Sequence, residues 1–207
     1  MRNNHEKILK LVGVASIAAI VIVLQLLSLV VKIGPFAITL ALIPIVVGAI
    51  IYGPLAGGIL GFIMGFIVLV TDANAFLAIN IPATIFICLI KTTLAGVAAG
   101  WIYRGLEKKS QWLAIILASI AAPIVNTLVF VSLALPIFYT DLVLWAEAND
   151  YTNVISYVFL GMVGVNFLLE FSIDAILSPV VFRIVTILRK KLNKKTKREL
   201  SANNDNK

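Results

Sequence analysis

The stretch that decides the fold is residues 53–65, which read GPLAGGILGFIMG. Glycine recurs at every fourth position, at Gly53, Gly57, Gly61 and Gly65. Residues four apart lie on one face of an α-helix, so a helix here would carry a bare stripe along one side. In water such interior glycines weaken a helix by about 1 kcal/mol each. In a lipid bilayer they let a neighbouring backbone come close, so the pattern predicts a tightly packed membrane helix.

The rest of the chain has the composition of an integral membrane protein. Of its 207 residues, 61% are hydrophobic, whereas a soluble domain is about half apolar. Arg2, Lys7 and Lys10 precede a first apolar run that lacks a signal-peptide cleavage site, so we expect this run to be retained as a helix. Cys88 is the single cysteine and His5 the single histidine. We therefore expect no disulfide, no metal site and no cofactor.

Six segments are candidates for membrane-spanning helices, although two of them are short for the roughly 20 residues that a span requires. They lie near residues 8–31, 36–52, 55–70, 82–103, 112–139 and 154–188. Pro44 is expected to kink the second helix, and Gly53-Pro54 to form a tight turn. The connections over residues 71–81 and 140–152 are interpreted as loops.

The fold class predicted from these segments is an all-α membrane protein with six transmembrane helices. They form one domain over residues 1–192, and the basic, polar residues 193–207 are expected to be a disordered tail. The basic residues lie in three clusters: near the N-terminus, at residues 104–109 after the fourth helix, and at residues 189–198. With six spans all three clusters fall on one side, so both termini are predicted to be cytoplasmic.

Polar side chains inside the predicted spans are the candidates for function, because a charge at the membrane centre costs about 2.5–3.5 kcal/mol. They are Lys91, Asn126, Asn166, Glu170 and Asp174. At about 1.5 Å of rise per residue, the first three reach similar depths in the outer half of the membrane or near its middle, with Glu170 one turn deeper.

Two interpretations of these side chains remain open. They form a solvated pocket for a small polar molecule, or Lys91 and Glu170 form a structural ion pair while the asparagines join helices. A lysine alone would suit an anionic ligand, but Glu170 weakens that inference because it can neutralise Lys91.

A longer block carries a resemblance to a known family. Residues 41–57, ALIPIVVGAIIYGPLAG, combine an apolar helix containing a proline with Gly-Pro-x-Ala-Gly, and the glycine spacing continues to Gly65. Ala15 and Ala19 form a small-residue pair in the first helix. With six spans and cytoplasmic ends, the chain resembles the substrate-binding S components of energy-coupling factor (ECF) vitamin transporters, and among them the pantothenate type.

The resemblance implies a binding subunit rather than an enzyme, located in the cell membrane as a multi-pass protein. Such a subunit captures a water-soluble vitamin or precursor and docks on a transmembrane scaffold subunit with two ATPases. It implies that Ala15 and Ala19 contact the scaffold. It also implies that the glycine stripe has a structural role within this chain, closing the second and third helices together and touching no substrate.

The binding site implied by the resemblance lies in the outer parts of the last three helices and in nearby loops. The candidate substrate-binding residues are Lys91, Asn126, Asn166, Glu170, Asn80, Thr84 and Tyr157. Pantothenate is the first candidate substrate, because Lys91 can face its carboxylate, and riboflavin is the next. Folate, a corrinoid and a pyrimidine precursor stay open. The alternative function is a stand-alone secondary carrier or an intramembrane enzyme that uses Lys91 and Glu170.

Overall fold

The computed structural model describes the backbone of residues 2–28, 32–33, 36–37 and 40–204, and the side chains of residues 7–28, 40–164, 167–188 and 190. The long helices are α1 (Arg2–Ser28), α3 (Pro54–Thr71), α5 (Ile81–Leu106), α6 (Gln111–Ile137) and α9 (Gly164–Asn204). The shorter elements are β1 (Lys32–Ile33), β2 (Phe36–Ala37), α2 (Leu42–Tyr52), α4 (Asn74–Leu77), α7 (Tyr139–Ala148), α8 (Val154–Ser156) and a π-helical segment (Tyr157–Met162).

Five stretches of the described helices are long and apolar enough to cross a membrane. They are Lys7–Ser28, Pro54–Thr71, Ile81–Leu106, Gln111–Ile137 and Val154–Leu188. The apolar α2 has 11 residues and is therefore about 16 Å long, against a hydrocarbon core of about 30 Å. The prediction of a helical membrane protein is confirmed, whereas six full spans and cytoplasmic termini stay predictions.

The second predicted helix begins later than expected. Phe36–Ala37 pairs antiparallel with Lys32–Ile33 in a small hairpin, and α2 starts only at Leu42. Pro44 therefore lies in the first turn of α2, where its missing N–H leaves no helical bond unmade. The expectation that Pro44 kinks a longer helix was wrong for this reason.

The turn predicted at Gly53-Pro54 is confirmed. Gly53 has a φ of 99°, a backbone conformation that side chains with a Cβ rarely adopt, and Pro54 is the first residue of α3. The guanidinium of Arg104 lies where a Cβ on Gly53 would point. The backbone conformation is what requires glycine here, since the flexible end of the Arg104 side chain can move aside.

The glycine stripe of α3 packs mainly against α5, not against α2 as the sequence suggested. A Cβ on Gly57 would meet the backbone of Gly96, on Gly61 that of Thr92, and on Gly65 that of Cys88. Each step of four residues up α3 matches four residues down α5, so the two helices run antiparallel with their backbones in contact. This contact fixes the depth of Lys91, three residues along α5 from Cys88.

Both predicted loops contain helices. Residues 71–81 include α4, and residues 140–152 include most of α7, whose Leu142 is completely buried. Phe138, Val154, Val158 and Met162 belong to the same buried apolar cluster as Leu142. A loop was predicted over residues 140–152 because polar residues alternate there with apolar ones. In the structure the apolar residues form one face of α7, and this helix closes one end of the bundle.

The sixth predicted helix is interrupted rather than continuous. It consists of α8, the π-helical segment and α9, and the amide of Val163 donates to the carbonyl of Val158 at 2.8 Å. A Cβ on Gly164 would meet the carbonyl oxygen of Phe159, so glycine allows the chain to continue into α9 here. The α9 helix extends to Asn204, and the domain limit at residue 192 with a disordered tail stays a prediction.

Candidate functional site

One cavity lies between α1, α3, α4, α5, α6 and the start of α9. Its volume is about 130 Å³, which corresponds to roughly four waters at about 30 Å³ each. Its lining comprises Gln25, Met64, Val68, Asp72, Ala73, Phe76, Cys88, Lys91, Asn126, Thr127, Phe130, Met162, Val163, Phe167 and Glu170. Polar groups thus converge from several helices onto one apolar-walled space, as is typical of small-molecule sites.

Lys91 reaches this cavity from α5. Its Nζ lies 4.9 Å from the centroid of the Phe130 ring on α6. An ammonium over an aromatic face is stabilised by about 0.5–2 kcal/mol. The contact holds the lysine head at the cavity wall, with its ammonium available as a hydrogen-bond donor.

Glu170 lines the same cavity from α9 and is only 3% exposed. The structure therefore brings Lys91 and Glu170 to one place, as predicted from their depths. Asp174, one turn further along α9, is equally buried but is not among the residues that line the cavity. Both interpretations of the lysine and the glutamate, as ligand contacts or as a structural pair, place them at this site.

Asn126 lies on α6 and is 8% exposed. Its Oδ1 is buried and accepts no hydrogen bond in the described part of the chain. A buried acceptor without a partner costs about 1–3 kcal/mol, so such an atom at a cavity wall is suited to receive a ligand donor.

Sequence reasoning missed two residues of this site, Gln25 and Asp72. Gln25 of α1 is 1% exposed, and its Nε2 donates to Asp72 Oδ2 at 3.4 Å. The Thr71 hydroxyl lies 2.9 Å from the same oxygen and 2.9 Å from the carbonyl oxygen of Ile67, and its one hydrogen can be donated to either. A glutamine inside an otherwise apolar first helix was the signal that could have found it. Asp72 follows α3 and was assigned to a loop, where a single carboxylate carries no signal.

The glycine-striped helix also contributes to the site. Met64 and Val68 of α3 line the cavity, whereas the expectation that the glycine stripe itself touches no substrate stays a prediction. Its glycines face α5 while Met64 and Val68 face the cavity. Helical periodicity allows both faces to be used at once.

Three predicted site residues do not line this cavity. The side chain of Asn80 caps α5 by accepting from the amide of Ala83 at 3.1 Å. Thr84 donates to the carbonyl of Asn80 at 2.7 Å. The Tyr157 ring packs edge-on against Tyr151, with centroids 5.4 Å apart. The side chain of Asn166 lies outside the described residues.

An aromatic cluster closes the cavity on the side of α4 and α7. The Phe76 ring makes edge contacts with Phe130, Phe138 and Trp145, at centroid distances of 5.8, 5.0 and 5.3 Å. Phe76 and Phe130 are also part of the cavity lining. The predicted loop after the third helix therefore supplies part of the cavity wall through α4.

The α1 helix presents an apolar face outward. Ala15 and Ala19 are exposed, as are Leu11, Val12 and Val23 around them. Of the apolar stretch of α1, 22% is buried inside the bundle, against 50% of α3. An exposed small-residue pair on a helix that is little covered by the bundle fits the predicted contact with another membrane subunit.

The comparisons with known proteins give one finding. A family model described as "ECF transporter, substrate-specific component" matches residues 9–182. No curated protein and no solved structure gives a significant match. The matched region contains every described residue that lines the cavity, as well as Ala15 and Ala19. The chain belongs to the family of ECF transporter substrate-specific components.

Proposed function

We propose that this chain is the substrate-capture subunit of an ATP-driven ECF-type importer in the cell membrane. It binds a water-soluble vitamin or vitamin precursor and docks on a scaffold subunit that carries two ATPases. The observation that carries the proposal is the convergence of Lys91, Asn126 and Glu170 on one cavity in a member of this family. In this proposal the chain supplies recognition and the ATPases supply energy.

The docking surface in this proposal is the outward face of α1 around Ala15 and Ala19. Both are exposed, and small side chains let a second helix approach closely. Replacement of either by tryptophan would hold the scaffold away without touching the cavity, which is lined from α1 by Gln25 alone.

Substrate selection in this proposal belongs to the cavity. Lys91, Asn126 and Glu170 contact the ligand, and Asn166 of the adjoining turn of α9 is retained as a candidate contact. Pantothenate is the first candidate by sequence, for the pairing of its carboxylate with Lys91, and riboflavin is the second. Asn80, Thr84 and Tyr157 are retained as candidates for the outer parts of the site.

The experiment is reconstitution of the chain with and without its scaffold and ATPases. We expect the chain alone to bind ligand but not to transport it, and uptake to require ATP and the complete complex. The Ala15→Trp/Ala19→Trp variant should lose uptake and co-purification with the scaffold while ligand binding by the isolated chain is unchanged. Undiminished uptake in this variant would refute the docking role.

The stand-alone carrier or intramembrane enzyme is the alternative that the same experiment separates. Net transport or chemical turnover by the chain alone in liposomes, abolished by Lys91→Met or Glu170→Gln, would support it and contradict the binding-subunit proposal.

A further inference from the structure

Two residues that line the cavity carry a buried side-chain acceptor without a hydrogen-bond partner in the described part of the chain. Gln25 Oε1 on α1 and Asn126 Oδ1 on α6 are both enclosed, and each accepts no bond in the described part of the chain. Both residues line the same cavity. Unsatisfied buried acceptors are rare in folded proteins, and two at one cavity indicate that something else supplies the donors.

The orientation of Gln25 is fixed by its neighbours. Its Nε2 donates to Asp72 Oδ2 at 3.4 Å. Asp72 accepts only, so it selects the amide nitrogen of Gln25 and leaves the amide oxygen for a different partner. Asp72 acts here as a positioning residue for the Gln25 acceptor.

The charges at the cavity do not favour an anion. Lys91 is the one basic side chain among the described lining residues, against the two acidic side chains of Asp72 and Glu170. The Lys91 ammonium already lies over the Phe130 ring. A ligand carboxylate would add a third acidic group beside one ammonium, and its repulsion from the buried Glu170 carboxylate is screened little by water, whereas Asp72 is exposed.

The walls of the cavity suit a flat ring. Phe76, Phe130 and Phe167 line it together with the thioethers of Met64 and Met162. Aromatic rings and methionine sulfur pack favourably against aromatic ligands. A flexible aliphatic chain would gain less from these contacts.

We infer that the ligand of this cavity is a neutral or cationic planar ring compound whose N–H or O–H groups donate to both Gln25 Oε1 and Asn126 Oδ1. The inference rests on the proposed function and reverses the order of its two named candidates. Riboflavin, with a ring N–H and side-chain hydroxyls, belongs to this class, and pantothenate, an acyclic carboxylate, does not.

The test measures ligand binding and stability together on the purified full chain. The probes are riboflavin, its N3-methyl derivative and pantothenate, by calorimetric titration, and native mass spectrometry identifies any compound retained from expression. The variants are Gln25→Met and Asn126→Leu, which remove each acceptor at similar volume. Ser119→Ala is the matched control, because its hydroxyl is also buried without a partner on α6 but does not line the cavity.

We expect each acceptor variant to bind the ring compound at least tenfold more weakly, since the ligand donor is then left unpaired. The ligand-free variants should melt no lower than the parent, because an unsatisfied buried acceptor has been removed. A purely structural role would give the opposite pattern, lower melting with unchanged affinity. Ser119→Ala should leave the affinity unchanged.

Three results would overturn the inference. They are tighter binding of pantothenate than of any ring compound, a retained ligand that is acyclic or negatively charged, and unchanged affinity in both acceptor variants. In each of these cases the proposed function stands. If the chain binds none of the probes and retains no compound, both the inference and the proposed function fail.

Discussion

At the scale of single residues, substitutions at Lys91 and Glu170 distinguish a ligand site from a structural ion pair. Removing one member of a buried pair destabilises a protein by about 3–5 kcal/mol, because the remaining charge is uncompensated. The contact that the structure shows for the Lys91 ammonium, with the Phe130 ring, contributes about 0.5–2 kcal/mol. The two roles therefore differ in what a single substitution does to stability.

We expect Lys91→Met to weaken ligand binding at least tenfold while lowering the free energy of unfolding by about 2 kcal/mol or less, the upper range of a cation–π contact. Affinity is measured by titration and stability by thermal unfolding of the ligand-free chain in detergent. The control is the Lys91→Met/Glu170→Gln double variant. If the single variant is strongly destabilised and the double variant is as stable as the parent, the pair is structural.

The site residues that could be predicted from the sequence lie within apolar spans, and those that could not be predicted lie at the ends of helices. Lys91, Asn126 and Glu170 were predicted because a polar group inside an apolar span is conspicuous, and the structure brings all three to the cavity. Asp72 was missed because it lies at the end of α3, in a stretch interpreted as a loop, where a polar side chain is not conspicuous. Asn80 caps α5, and this role could have been predicted, because asparagine is a preferred N-cap residue and Pro82 lies in the first turn.

At the scale of elements, the contact between α3 and α5 positions the floor of the site. Gly57, Gly61 and Gly65 lie against the backbone of α5, and Cys88, at the last of these contacts, lines the cavity. Spacing in the sequence predicted the stripe but not its partner, because a bare helix face is equally compatible with any neighbour. Gly96 and Gly100 on α5 are also four residues apart, and this second pair of glycines indicated which helix packs against the stripe.

We expect Gly61→Ala to destabilise the protein by about 1–3 kcal/mol, because the added methyl group meets the backbone of Thr92, which cannot move aside as a side chain would. Thermal unfolding in detergent measures the change, and ligand affinity should fall with it as α5 shifts. Gly105→Ala is the matched control, since a Cβ there meets nothing within 4 Å. Equal effects of the two substitutions would show that the stripe does not require close packing.

The interruption of the last predicted helix is an element that periodicity does not reveal. Tyr157–Met162 is wound more widely than an α-helix, and Met162 at its end lines the cavity. Its contacts with α7 and with the Tyr151 ring join parts of the chain that periodicity in the sequence does not relate. Such segments occur frequently at functional sites, in agreement with the position of this one.

At the scale of the whole molecule, the side of the membrane on which each loop lies determines whether the cavity takes up ligand from outside. The turn at Lys108, between α5 and α6, and the α7 helix lie at opposite ends of α6, which is about 40 Å long. Basic residues concentrate at the first end and acidic residues at the second. The positive-inside rule therefore predicts that α7 and the cavity end of the bundle face outward.

Cysteine labelling tests this orientation, because Cys88 is the single cysteine and is buried. In a Cys88→Ala background, we expect Glu147→Cys on exposed α7 to react with a membrane-impermeant maleimide on intact cells. Lys108→Cys should react only after permeabilisation, since it is also exposed in the fold but is predicted to lie on the cytoplasmic side. Ligand binding by each variant confirms that the fold is retained. The reverse labelling pattern would place the cavity end inside and would contradict capture of a vitamin from outside the cell.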